Sequence, residues 1–170
     1  MTRYVRAVPG LGAVPLEELV LRGVRGLLLD LDNTLVPARS ADVPAETRLF
    51  LQEAQRFGLA AVILSNGRKA RAEQLGQMLG LPAVGRAKKP LGGGYRRALA
   101  ILGLPSSEVA AIGDQFLTDG IGAWCRGMPL ALVDPITSSE ALLVRLGRPV
   151  DRILRRLLLR RAGSDRVSAS

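Results

Sequence analysis

The stretch Gly26-Leu27-Leu28-Leu29-Asp30-Leu31-Asp32 decides the fold class. A continuous apolar run that ends in acidic residues is typical of a strand buried on both faces of a parallel sheet. Asp30 and Asp32 are two positions apart, so their side chains share a face of an extended strand. Two such carboxylates repel each other unless a cation lies between them or one holds a proton. The stretch therefore indicates either a cation site or, more plainly, two acids that end the strand and begin a turn.

The chain on either side of this stretch alternates between strand and helix patterns. Buried strands are predicted at 59–64, 108–112 and 130–133, with a very short one at 83–84. Helices are predicted at 15–22, 44–57, 68–79, 92–102 and 117–126, and a loop is predicted at 8–15. This alternation is typical of a parallel α/β sheet with right-handed crossovers.

Polar side chains stand where the predicted strands end. Besides the two acids already quoted, they are Ser65, Asn66, Asp114 and Asp134. In open α/β sheets, ligands bind outside the carboxyl ends of the strands. The sequence therefore predicts that acids, a hydroxyl and an amide meet at one rim.

Each of the smaller motifs also has an ordinary explanation. Ser65-Asn66-Gly67 is a common turn, and Lys88-Lys89 fits a solvated pair of lysines. Asp114 followed by Asp119 fits a strand-to-helix loop with a capping acid. Only their combination favours a functional site.

The composition excludes several classes of chemistry. The chain has 170 residues, 48% of them hydrophobic, which suits a single folded domain. It has no histidine and a single cysteine, Cys125, which removes serine-histidine triads, cysteine-histidine pairs and multi-cysteine metal clusters. The longest apolar run, 57–64, is too short to span a bilayer, and residues 1–4 begin no secretory signal. We therefore expect a cytoplasmic protein whose chemistry depends on carboxylates, hydroxyls, lysine, arginine or a bound metal.

Positive charge is concentrated in the last part of the chain. The formal net charge is +9, and residues 139–170 hold eight arginines against three acidic residues. Apolar residues at 150, 153, 154, 157 and 158 follow helical spacing, with arginines on the other side. Such a segment could lie on the inner, anionic face of a membrane, or pack its apolar side on the sheet or on a second subunit, which leaves a homo-oligomer open.

Four motifs, taken in order, resemble those of the haloacid dehalogenase (HAD) superfamily of phosphotransferases, between Gly26 and about Pro135. They are Asp30-x-Asp32-x-Thr34-Leu35, Ser65-Asn66, Lys89-Pro90 and Gly113-Asp114-x-x-x-x-Asp119. One such motif is weak evidence, whereas four in order at strand ends are specific. Lys89 is chosen over Lys88 because the lysine of the family precedes a proline.

The resemblance implies an aspartyl-phosphate mechanism. Asp30 would attack phosphorus. Asp32 would protonate the leaving alcohol and later activate water. Lys89 would neutralise the phosphate, whose oxygens Ser65 and Asn66 would bind.

The resemblance also implies a magnesium ion. Asp30, Asp114 and the backbone carbonyl of Asp32 would hold Mg²⁺, with Asp119 in support. Thr34 would support the site by orienting the nucleophile strand or the acid. The chemistry is consistent with this, because a phosphate dianion cannot approach an acidic rim unless a cation cancels the repulsion.

At finer detail the chain is similar to the YqeG family of HAD-IIIA-type phosphatases. The residues that carry this likeness are 27–36 and 113–120, supported by the lead-in from Tyr4 to Gly23 and the helical pattern after Pro135. Relatives of this family in mitochondria and plastids are phosphatidylglycerophosphate phosphatases. The resemblance therefore implies a phosphate monoester substrate, with a lipid phosphate as one candidate.

The expected fold is a HAD-like, Rossmannoid three-layer α/β sandwich with a mainly parallel sheet. The gaps between Asp32 and Ser65 and between Asn66 and Lys89 are too short for a cap domain, so the site should be open. Residues 1–138 would form the core with its lead-in, 139–163 a basic amphipathic helix of the same domain, and 164–170 a disordered tail.

Two other functions stay open at this point. The basic tail would also suit a nucleic-acid- or ribosome-associated binding protein on a HAD scaffold, although aromatic residues make up only 4% of the chain, so base stacking is poorly supported. A phosphatase for a nucleotide or a phosphoprotein would carry the same motifs.

Overall fold

The structure, a computed structural model, describes residues 4–137. This part of the chain contains a six-stranded sheet in the order β1-β6-β5-β2-β3-β4, and every neighbouring pair is parallel. The strands are β1 (Val5–Val8), β2 (Gly26–Leu29), β3 (Ala60–Leu64), β4 (Ala83–Val84), β5 (Val109–Gly113) and β6 (Leu130–Val133). The helices are α1 (Leu16–Leu21), α2 (Ala45–Arg56), α3 (Lys69–Leu79), α4 (Gly94–Leu102) and α5 (Ile121–Trp124). The predictions for 139–163 and 164–170 lie outside the described residues.

The central strand β2 is buried on both faces, as its apolar run predicts. Leu27 and Leu29 pack into one core, together with residues of α1, α2 and α3. Leu28 points to the opposite core, which contains Tyr95 and Ala98 of α4. Because successive strand residues alternate in this way, each leucine is buried by a different layer of helices. The predicted three-layer α/β sandwich is confirmed.

The edge strand β1 is missing from the sequence prediction. It pairs in parallel with β6, so that Val5 is opposite Leu130 and Val8 opposite Val133. All four residues of β1 are only half-buried. A strand this short, whose partner lies far away in sequence, leaves little local pattern to detect.

The helix predicted at 117–126 is also different in the structure. A π-helical turn, Phe116–Gly120, comes first, and α5 then covers only Ile121–Trp124. Gly120 permits the turn, since a Cβ there would collide with the ring of Phe116. Turns of this type often occur at functional sites, where they redirect a side chain. Here the turn carries Asp119.

The connections beside the rim are short. Between Asp32 and Ser65 the chain forms a loop, α2 and β3, and between Asn66 and Lys89 it forms α3 and β4. Apart from the loops that join them, both segments consist of helices and strands of the sandwich itself. This agrees with the expectation of a core without a cap.

None of the helices within residues 4–137 combines the length and the apolar character needed to cross a bilayer.

The order in which the chain adds strands to the sheet reverses between β2 and β5. From β2 the chain continues outward through β3 and β4, and it then returns to build β5 and β6 on the other side. In doubly wound sheets such a switch point leaves a crevice at the carboxyl ends, where ligands bind. The residues that follow β2 and β5 therefore lie where a ligand is expected.

Candidate active site

Asp30 and Asp114 meet at the switch point of the sheet. Leu29 of β2 lies opposite Ile112 of β5, and the backbone N–H of Asp30 donates to the carbonyl of Ile112 at 2.9 Å. Each aspartate directly follows its strand, and Asp114 lies one residue beyond the level of Asp30 at the rim. Asp114 is buried, with a relative exposure of 8%.

Asp119 joins these two acids from the π-helical turn. One carboxylate oxygen from each of Asp30, Asp114 and Asp119 lies within 4.8 Å of the other two. Gly113 makes this approach possible, because a Cβ at that position would collide with the carboxylate of Asp119. The predicted proximity of Asp114 to the acids of the first motif is therefore observed for Asp30.

Lys89 inserts its ammonium group into this acidic cluster. Its Nζ donates to Asp30 Oδ1 at 2.5 Å and to Asp119 Oδ1 at 2.7 Å, and its side chain is only 2% exposed. Lys88, the alternative, is exposed to solvent. The side-chain alternation along 87–89 thus selects Lys89 as the lysine at the site.

Asn66 holds the backbone of Lys89 in place. Its Oδ1 accepts a hydrogen bond from the Lys89 N–H at 2.7 Å, and its Nδ2 donates to the Lys89 carbonyl at 3.3 Å. The side-chain amide is therefore engaged by protein. Its neighbour Ser65 is buried, and the Ser65 Oγ accepts a hydrogen bond from the N–H of Gly67 at 3.0 Å. The phosphate-binding role of Ser65 and Asn66 stays a prediction.

The carboxylate of Asp32 lies apart from the three-acid cluster. Its Oδ1 accepts hydrogen bonds from Arg71 Nη2 at 2.8 Å and from the backbone N–H of Arg39 at 3.3 Å. A Cβ on Gly67 would come to 3.7 Å from its Oδ2. Asp32 therefore lies between the guanidinium of Arg71 and the Ser65-Asn66-Gly67 turn.

Burial and mutual repulsion control the ionisation of the acids. Burial raises the pKa of Asp30 to about 6, although the Lys89 ammonium opposes the shift. Burial, reinforced by the charges of Asp30 and Asp119, raises the pKa of Asp114 to about 8. Burial alone would lower the pKa of Lys89, but the carboxylates of Asp119 and Asp30 outweigh it and raise the pKa. The lysine thus stays charged. Its charge does not fully offset the burial of Asp30 and Asp114, whose pKa values remain raised.

The donor set fits a divalent cation. Asp114 Oδ1 is buried and has no hydrogen-bond partner among residues 4–137. An orphaned buried carboxylate oxygen is costly unless something else satisfies it. Hard cations such as Mg²⁺ take oxygen ligands of this kind, and their charge would relieve the repulsion among the acids.

Thr34 is the second buried side chain with an orphaned polar atom. It follows Asp32 by two residues, and its Oγ1 has no hydrogen-bond partner within the described part of the chain. Thr34 as a whole is only 1% exposed. Its supporting role stays a prediction.

Arg126 and Tyr95, which the sequence did not indicate, contact the segments that carry Lys89 and Asp119. The guanidinium of Arg126 stacks 4.0 Å from the ring centroid of Tyr95 and donates to the carbonyl of Pro90 at 3.1 Å. The Tyr95 hydroxyl donates to the carbonyl of Thr118 at 3.1 Å. This pair ties the turn after Lys89 to the turn that carries Asp119. No local pattern in the sequence indicates such a link.

Comparison with known proteins places the chain in a family. The sequence profile described as haloacid dehalogenase-like hydrolase matches residues 39–123, which include Ser65, Lys89, Asp114 and Asp119. A Bacillus subtilis protein named probable phosphatase YqeG is 34% identical over 136 residues, covering 80% of this chain and 79% of the relative. The chain therefore belongs to the haloacid dehalogenase-like hydrolase family. The prediction of a phosphatase of this family, similar to YqeG, is confirmed.

Two further proteins extend the comparison. The chloroplastic phosphatidylglycerophosphate phosphatase 1 of Chlamydomonas reinhardtii is 32% identical over 144 residues, covering 78% of this chain. The chain spans about half of that relative's length, since it covers 53% of it. The cobalt-bound structure of deoxy-D-mannose-octulosonate 8-phosphate phosphatase from Haemophilus influenzae has a TM-score of 0.52 at 13% identity, covering 66% of this chain and 70% of its own. This last likeness supports the fold.

Proposed function

We propose that the protein is a phosphomonoesterase that depends on a divalent cation, Mg²⁺ in particular, and forms an aspartyl-phosphate on Asp30. One observation carries the proposal. The buried ammonium of Lys89 contacts Asp30 and Asp119 at 2.5 Å and 2.7 Å. Beside it lies the Asp114 oxygen that has no hydrogen-bond partner among residues 4–137. A fixed cation next to the attacking carboxylate is what a phosphate dianion requires in order to approach it.

The cation would be held by the carboxylates of Asp30 and Asp114 and by the backbone carbonyl of Asp32, with Asp119 in support. When bound, it would neutralise charge on the phosphoryl oxygens. The raised pKa of Asp114 supports this assignment, because a carboxyl that ionises reluctantly in the protein alone would be stabilised as an anion by a cation.

The chain's own residues account for both displacements at phosphorus, first by Asp30 and then by water. A carboxylate oxygen of Asp30 attacks phosphorus, the bond from phosphorus to the leaving oxygen breaks, and Asp32 gives that oxygen a proton. Water then attacks the same phosphorus while Asp32 takes its proton, and the bond to Asp30 breaks. The products are the alcohol and inorganic phosphate. Lys89 keeps its charge throughout and balances the phosphoryl group against Asp30.

We further propose a lipid phosphate, such as phosphatidylglycerophosphate, as the substrate. The name of the Chlamydomonas relative supports this class. The short connections around the rim support it as well, because an uncovered site accepts a phosphate group presented at a surface. The basic amphipathic segment 139–163 would contact the anionic membrane.

A phosphate-release screen with and without Mg²⁺ tests this proposal. Phosphatidylglycerophosphate in micelles is compared with soluble sugar phosphates, nucleotides and phosphopeptides at equal concentration. We expect Mg²⁺-dependent release with the highest kcat/KM for the lipid. Preference for a soluble ester would remove the lipid assignment alone. Binding of RNA without turnover of any ester would contradict the phosphatase mechanism.

Replacing Asp114 with asparagine should abolish stabilisation by Mg²⁺. At a concentration near 100 times its Kd, a bound ion stabilises the folded state by about 2.7 kcal/mol, which raises the Tm by several degrees. Calorimetry in EDTA and in MgCl₂ measures this shift. Asp114→Asn should lose it and be at least as stable as the wild type in EDTA, because the neutral amide removes repulsion with Asp30 and Asp119.

The exposed Asp42 provides the matched control for this measurement. Asp42→Asn changes the same functional group outside the acidic cluster, so it should keep the full Mg²⁺ shift. An equal shift in Asp114→Asn and the wild type would exclude Asp114 as a ligand.

A further inference from the structure

Arg71 of α3 contacts both the predicted acid-base residue, Asp32, and the loop that follows it. Its Nη2 donates to Asp32 Oδ1 and to the carbonyl of Ser40, each at 2.8 Å. The side chains of Arg71 and Asp32 are 27% and 36% exposed, so the pair is partly shielded from water. The same guanidinium thus holds both the carboxylate and the loop between β2 and α2.

The position of Arg71 contradicts the local rules for a helix. It lies in the first turn of α3, where the positive end of the helix dipole disfavours cations, and this turn has no acidic residue. The neighbouring Lys69 is compensated within the helix by Glu73 at 3.5 Å. Arg71 instead finds its partner 39 residues away in sequence. A residue that breaks a local rule in favour of a long-range contact is typical of a functional site.

The contacts of Asp32 divide its two oxygens. Oδ1 accepts from Arg71 and from the backbone N–H of Arg39, whereas Oδ2 faces the turn at Gly67. That turn contains Ser65 and Asn66, the predicted phosphate-binding residues. With Oδ1 occupied by two donors, Oδ2 is the oxygen that can carry the proton toward the phosphoryl group.

We propose that Arg71 is a positioning residue, which aims Oδ2 of Asp32 at the leaving oxygen and at the incoming water. This inference rests on the proposed phosphatase function. In the first displacement the proton passes from Oδ2 to the oxygen released from phosphorus. In the second it passes from water to Oδ2, so Asp32 returns to its starting state. Arg71 keeps its protons in both displacements and acts only through orientation.

Leaving-group dependence separates this role from a structural one. Phenyl phosphate releases a poor leaving group that needs a proton, whereas 4-nitrophenyl phosphate releases a good one that does not. The ratio kcat/KM reports the first irreversible step, transfer of the phosphoryl group to Asp30. We expect Arg71→Met to lower kcat/KM about tenfold or more for phenyl phosphate and less than about threefold for 4-nitrophenyl phosphate. Asp32→Asn should show the same selectivity, more strongly.

Two further variants complete the test. Lys69→Met removes a charge from the same helical turn without touching Asp32, and it should leave both substrates unaffected. Arg71→Lys should recover part of the loss on phenyl phosphate. An equal loss on both substrates in Arg71→Met, or the same selectivity in Lys69→Met, would overturn the role of Arg71 while an active wild type preserves the proposed function. A wild type that cleaves neither these two esters nor any ester of the phosphate-release screen, under any metal condition, would overturn both.

Discussion

Replacing Asp30 with asparagine is expected to lower phosphate release by at least about 10⁴-fold, since the amide cannot attack phosphorus. The side chain keeps its size and its place beside Lys89, so the variant should remain folded. The wild type, quenched in acid during turnover, should carry a phosphoryl group that hydroxylamine removes, as expected of an acyl phosphate. Asp30→Asn should carry none.

Asp42→Asn again provides the control for this prediction. It lies in the same connection between β2 and α2, and its exposed carboxylate accepts a hydrogen bond from the hydroxyl of Ser40 at 3.0 Å. Its activity and its phosphoryl labelling should equal those of the wild type. Substantial turnover by Asp30→Asn would exclude Asp30 as the nucleophile and with it the aspartyl-phosphate.

Replacing Lys89 with methionine should produce the second-largest effect. Loss of one preorganised charge at a transition state costs about 10²–10³ in kcat. Removing the ammonium also leaves Asp30 and Asp119 facing each other without compensation. Breaking a buried ion pair from one side typically costs about 3–5 kcal/mol of stability. Phosphate release and thermal unfolding, both in saturating Mg²⁺, measure the two losses.

The adjacent lysine makes this test specific. Lys88 is exposed, and Lys88→Met removes the same charge one residue away. It should change activity less than about twofold, since an exposed lone charge contributes little. If the two methionine variants lost activity equally, the effect would reflect the general charge of the rim rather than the contact of Lys89 with Asp30.

The sheet and its rim could be predicted because they depend on short-range patterns. The leucines before Asp30 alternate between two cores, and a run with apolar residues at every position indicates burial on both faces. Once the strands are parallel, their carboxyl ends must share an edge. This geometry places Asp114 beside Asp30 without any further information.

The supporting residues depend on contacts that no local pattern reports. Arg71 is one of several arginines on helices, and only the folded chain shows that it reaches Asp32. Likewise, only the folded chain shows that Arg126, in the turn after α5, stacks on Tyr95 of α4. The proline that follows Lys89 in the family motif distinguishes it from Lys88 in the sequence. In the structure the two lysines differ because Lys89 is buried among carboxylates that lie far away in sequence.

The short connections at the rim have a kinetic consequence under the proposed chemistry. Lids that must open can make product departure the slowest event in a catalytic cycle. Within residues 4–137, the two crossovers consist of loops and elements of the sandwich, so neither crossover forms a domain that must move before alcohol or phosphate leaves. The lifetime of the phosphorylated aspartate would then depend on how quickly a water molecule is deprotonated beside it. That rate would depend in turn on the orientation of the Asp32 carboxylate.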